Sequence, residues 1–165
     1  APSARFIEIH GLIMHSLKLL FSNDRKGFID PLKFEQLIKP LASQVALPGL
    51  SENFPLYVET VIAPVIVELA ETVSDDFMWK TIVHQVCSHL RTAKVLVRRA
   101  VAITMSALVT KLAERFMSVL SDFLPHLALI LDDEEPAVSS LGKTIVKQLE
   151  QFSSEDILTM LKNSV

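Results

Sequence analysis

A block of this sequence repeats after 41 residues. Trp79, Ile82, Val83, Val86 and Leu90 are followed at that offset by Leu120, Phe123, Leu124, Leu127 and Leu131. Past the next turn, Val97, Ala100, Met105 and Leu108 map onto Val138, Leu141, Val146 and Leu149. Each copy reads as an outer helix, a turn and an inner helix. Such a unit cannot bury its apolar face alone, so copies must stack side by side in a solenoid.

A period of about 40 to 47 residues built from helix pairs is the mark of HEAT and armadillo arrays. The expected fold is therefore all-α, a HEAT-type α-solenoid of antiparallel helix pairs. Residues 1–165 read as one domain, with pairs at about 30–73, 77–115 and 116–152 and a terminal helix at 153–162. A further helix is expected over 5–21, starting so abruptly that the chain reads as beginning inside a longer protein. Half of the residues are hydrophobic and the mean hydropathy is +0.38, as expected when inner helices are covered on both sides.

The apolar runs are short. "LALIL" is the densest, well under the roughly 18–20 residues of a membrane span. No segment resembles a secretion signal. Cys87 is the sole cysteine, so no internal disulfide can form, which fits a reducing compartment.

Local signals place the helix ends. Asp30-Pro31 offers a cap acceptor followed by proline at the first helical position. Pro64 falls inside a helical run and predicts a kink. Ser74-Asp75-Asp76 supplies acceptors and negative charge to the following helix. The segment from Lys94 to Arg115 is apolar round nearly its whole circumference, which predicts a buried inner helix. Ser153-x-x-Asp156 resembles a capping box for the last helix.

No constellation points to chemistry. His84 and His89 flank Cys87 but are splayed by about 140° on a helix, and no second ligand stands at metal spacing. His10 and His15 share that spacing. Asp132-Asp133-Glu134-Glu135 lacks the alternation and central glycine of a calcium loop and reads as charge complementing a helix start. There is no glycine-rich phosphate loop, nucleophile elbow or paired catalytic carboxylates. The expectation is no enzyme, no catalytic or metal residue, no cofactor and no small-molecule substrate.

Charge is uneven along the chain. Residues 1–78 carry 6 basic and 10 acidic side chains, and residues 116–165 carry 3 and 8. Residues 79–115 carry seven basic side chains against Glu114 alone. Arg91, Lys94, Arg98 and Arg99 in this middle repeat are the candidate contact for a partner or for RNA phosphate. The structural alternative is that a basic residue at the start of an inner helix reaches an acidic residue of a neighbouring turn. No aromatic residues interleave with these charges, which argues against sequence-specific RNA reading.

The segment from "SDDFMWK" through "KVLVRRA", "LAERF" and "FLPHLALILDDEEPAV" to "SSEDI" resembles the C-terminal region of the large HEAT-repeat protein of the small-subunit processome. The resemblance covers residues 54–162 well and 30–46 loosely. Thr81 and the pair Met160-Leu161 depart from the pattern, which favours Pro and a terminal Tyr or Phe. The resemblance implies a scaffold of ribosome biogenesis in the nucleolus. It would support pre-ribosomal RNA processing and transcription through processome proteins, with contact to pre-ribosomal or small nucleolar RNA through its backbone. A HEAT or armadillo adaptor of transport or of a phosphatase, binding an extended acidic peptide, is the alternative.

Overall fold

The computed structural model describes residues 2–164, and every regular element among them is helical. The nine α-helices are α1 (Ala4–Ser22), α2 (Pro31–Ala42), α3 (Phe54–Tyr57), α4 (Ala63–Val73), α5 (Asp76–Cys87), α6 (Val95–Leu112), α7 (Leu120–Leu131), α8 (Pro136–Glu150) and α9 (Ile157–Ser164). They stack in two rows. α1, α4, α6 and α8 follow one another in the inner row, and α2, α5, α7 and α9 in the outer row. Short connections, residues 88–94 and 132–135, join α5 to α6 and α7 to α8, so these partners run antiparallel.

The repeat positions build the contact between the rows. Trp79, Ile82, Val83, Val86 and Leu90 are buried, as are their counterparts Leu120, Phe123, Leu124 and Leu127. Val97, Met105 and Leu108 are buried with Val138, Val146 and Leu149. Leu131 and Leu141 are half-buried. Full burial of such a side chain contributes about 1.5–3 kcal/mol, so the repeated stripe is the main cohesive force. Phe116 meets Phe123 edge to face, with centroids 5.5 Å apart. At Gly142 a Cβ would come within 3.1 Å of Ile130 and Leu131, so glycine lets α8 approach α7.

The caps form as the sequence implies at two of the three predicted places. The Asp30 carboxylate accepts from the Lys33 amide at 2.9 Å, with Pro31 in the first turn. Asp75 caps α5 by accepting from the Met78 amide at 3.0 Å. The third differs. Asp156, rather than Ser153, serves α9, accepting from the Leu158 amide and the Thr159 hydroxyl at 3.0 Å each. Ser153 is occupied with Glu155 of its own turn.

Three other departures are local. Before Pro64 the helix widens into a π turn over Val58–Ile62, whose i→i+5 bond runs from the Ala63 amide to the Val58 carbonyl. That is how the chain absorbs a proline that can neither donate to an α-helical ladder nor clear the preceding carbonyl. α6 stops at Leu112, and Ala113–Val119 form a 3₁₀ segment, so α7 starts at Leu120 rather than near residue 116. The break is made by Ala113, whose φ of 51° is in a region that disfavours a side chain. Directly after α2, Ser43–Ala46 also form a 3₁₀ turn.

α1 has two unlike faces. Met14 and Phe21 are buried against α4, and the Thr72 hydroxyl donates to the Phe21 carbonyl at 2.6 Å. Phe6, Ile9, Leu12, Ile13, Leu19 and Leu20 are exposed on its other sides.

Candidate interaction surface

The basic charge of the middle repeat is matched by acids of its neighbours. Lys111 and Arg115 reach Glu68 and Glu71 at 3.6 and 2.7 Å. Lys80 reaches Asp122 at 3.4 Å and Arg98 reaches Asp133 at 2.6 Å. Other side-chain hydrogen bonds span similar distances in sequence. The Ser118 hydroxyl donates to Asp76 at 3.0 Å, and Gln148 bridges Ser106 and Thr110 at 3.1 and 2.8 Å. Stacking displaces each repeat by one step along the row, so groups about one repeat apart in sequence come face to face. The charge asymmetry of the sequence is thus partly a set of ties between repeats.

Arg91, Lys94, Arg98 and Arg99 differ in their surroundings. Arg91 and Lys94 are exposed in the turn between α5 and α6. Arg91 is on the outer side, where its charge and that of His84 add to burial in lowering the pKa of His126. Arg98 donates to both carboxylate oxygens of Asp133 and to the Thr92 carbonyl. These bonds raise its pKa and hold the Asp133 carboxyl below the usual carboxylate range. Arg99, one residue on, turns about 100° round the helix to the inner face. It makes no ion pair or hydrogen bond among the described residues, and its Nε is buried without a partner.

Arg99 lines a hollow of about 580 Å³ that opens along the inner row. α3 and the π turn form one wall through Asn53, Leu56 and Glu59. Ile103, Ser106 and Ala107 of α6 form the floor, and Ala137, Ser140 and Leu141 of α8 the far wall. α6 is therefore not covered all round. Arg99, Ile103, Ser106, Ala107 and Thr110 make an open strip at helical spacing. Ile103 and Ala107 read in sequence as core residues because apolar type alone does not separate core from groove floor. The signal available was spacing, because small and polar residues recur along that one face.

A second hollow, between α5 and α7, is lined by Lys80, His84, Asp122 and His126. Cys87 is buried, and burial pushes its thiol pKa well up, away from the thiolate form that nucleophilic chemistry uses. His84 is exposed and His89 half-buried, the latter with its pKa lowered by burial. Among the described residues no three metal-ligating side chains come together, and no helix is long and apolar enough to cross a membrane. Of the acidic run, Asp133 accepts from the Glu135 amide at 2.9 Å as well as from Arg98, and so fixes the start of α8.

The chain is 30% identical to the HEAT repeat-containing protein 1 homolog of Dictyostelium discoideum over 139 residues, 84% of this chain and 6% of that protein. It is 31% identical to HEAT repeat-containing protein 1 of Macaca fascicularis, over 88% of this chain and 15% of that protein. It is 26% identical to U3 small nucleolar RNA-associated protein 10 of Chaetomium globosum, over 94% of this chain and 9% of that protein. No protein-family model and no solved structure matches. The chain thus spans only a small part of the relatives it resembles. Over that part it is homologous to proteins named HEAT repeat-containing protein 1 and U3 small nucleolar RNA-associated protein 10.

Proposed function

We propose that this chain is a non-catalytic scaffold segment of the small-subunit processome. In this reading it holds processome proteins together in the nucleolus during pre-ribosomal RNA processing, small-subunit assembly and ribosomal RNA transcription. The observation that supports this most is its likeness, over 92–94% of its length, to two proteins named for association with U3 small nucleolar RNA. The two-row helical stack agrees, because solenoids present long surfaces suited to holding partners. Residues 1–165 act as one unit of a longer array in this reading, with a preceding helix pair packed on the exposed apolar face of α1. Arg91 and Lys94, exposed and without an ion pair among the described residues, are the members of the basic set best placed to meet RNA phosphate.

The test is affinity purification of the tagged full-length protein with and without residues 1–165. Recovery of processome proteins and U3 RNA, diminished on deletion, is the expected result. Recovery of transport or phosphatase components instead would overturn it.

A further inference from the structure

We infer that the inner-row groove around Arg99 is a docking site for an extended partner segment that presents one aspartate or glutamate between aliphatic residues. This stands on the groove itself and not on the processome reading.

Arg99 is the starting observation. Arg98, its chain neighbour, makes three hydrogen bonds to the fold. Arg99 makes none among the described residues, although its Nε is already removed from water. A guanidinium without an acceptor in the fold takes an arriving carboxylate in planar, two-pronged geometry through its terminal nitrogens. Arg99 lines the hollow, and no acceptor of the fold holds it among the described residues.

The rest of the groove selects the occupant. Glu59 stands in the same hollow as Arg99, and no ion pair joins them. With one cation and one carboxylate present, a single negative charge at Arg99 is favoured and a doubly charged phosphate meets repulsion. A nucleic-acid strand needs a row of cations and aromatic platforms, and the lining offers neither. Aliphatic side chains find Leu56, Ile103 and Leu141, whereas a peptide backbone finds Ser106, Ser140 and the amide group of Asn53. α3 with the π turn, α6 and α8 line the groove, and packed helices stand at interaxial spacings of about 8–10 Å. An extended chain rising about 3.3 Å per residue crosses them in about six residues.

Selection of random twelve-residue peptides displayed on phage, with the chain as bait and Arg99→Ala as counter-bait, tests this. Circular dichroism establishes that each variant is folded. The expected outcome is enrichment of peptides with one acidic residue flanked by aliphatic ones. Their affinity should fall at least tenfold on Arg99→Ala, and likewise on Ser140→Trp, which fills the groove from an exposed position without touching the core. Arg99→Lys should recover part of the loss, and changing the peptide acid to its amide should mimic Arg99→Ala. No enrichment over the counter-bait, or peptides indifferent to both variants, would overturn the site. Tighter Arg99-dependent binding of a twelve-nucleotide oligouridine than of any acidic peptide would overturn the choice of occupant.

Discussion

Arg98 donates through Nε and Nη2 to the two carboxylate oxygens of Asp133, at 2.6 and 3.1 Å, and through Nη1 to the carbonyl of Thr92 at 3.0 Å. Thr92 and Asp133 are 41 residues apart and hold the same place in successive turns. One guanidinium therefore joins two neighbouring repeats. The Arg98 and Asp133 side chains are 19% and 6% exposed, whereas both partners in the Lys80–Asp122 pair are more than 40% exposed. Exposed pairs of that kind contribute about 0–1 kcal/mol. The sheltered, two-pronged pair is worth more.

Asp133 should give this contact a pH signature. Arg98 holds its carboxyl below the usual range, with the Glu135 amide adding to the effect. A depressed folded pKa means that the stabilisation is whole above the unfolded value, about 3.9, and is lost as pH falls through the folded one. Asp133→Asn should lower stability by about 1–2 kcal/mol at neutral pH. Urea titrations should show its deficit against wild type shrinking below about pH 4. A deficit unchanged across that range would show that the charge is not what matters.

Val138, at the start of α8, is fully buried. Val138→Asp would place an unpaired carboxylate at the contact between repeats, at a cost of about 3 kcal/mol or more. Loss of the cooperative melt or aggregation on expression is expected. A normal melting temperature would refute the placement of α8.

Ala113 ends α6 with a φ of 51° and ψ of −127°, backbone that suits glycine and strains a Cβ. Ala113→Gly should raise stability by about 1 kcal/mol, against the usual cost of adding chain flexibility. Equilibrium unfolding in urea would show it as a higher midpoint with an unchanged slope.

Neighbouring residues of α1 should respond in opposite ways. Met14 is 3% exposed and Ile13 is 54% exposed. Met14→Glu should cost about 3 kcal/mol or more, and Ile13→Glu less than about 0.5 kcal/mol. Similar losses at both positions would mean that α1 is rotated from the orientation described.

The architecture was legible because its cause is periodic. The spacing from Trp79 to Leu120 and from Val97 to Val138 reports which residues meet between rows, and hydrophobic burial is the largest force in the fold. Less legible were features that depend on a neighbour far along the chain. Seven basic residues near one another in sequence suggested a patch, but the acids that answer four of them lie 35 to 44 positions away. The π turn before Pro64 and the 3₁₀ segment after Ala113 preserve nearly the apolar spacing of an α-helix, so periodicity passes over them. The groove escaped notice because Ile103 and Ala107 look like core until the gap between α3 and α8 leaves them partly open.

Arg98 and Arg99 adjoin in sequence and share one charge, yet the fold gives them separate tasks. Their alanine variants, unfolded in urea at neutral pH beside wild type, therefore provide the most direct measurement. Arg98→Ala should lose about 2 kcal/mol because it strands the Asp133 carboxylate between repeats. Arg99→Ala should stay within about 0.5 kcal/mol of wild type, because it breaks no hydrogen bond or ion pair among the described residues. Equal losses, or a larger loss at Arg99, would contradict the division of the basic repeat into a tie between repeats and a docking residue.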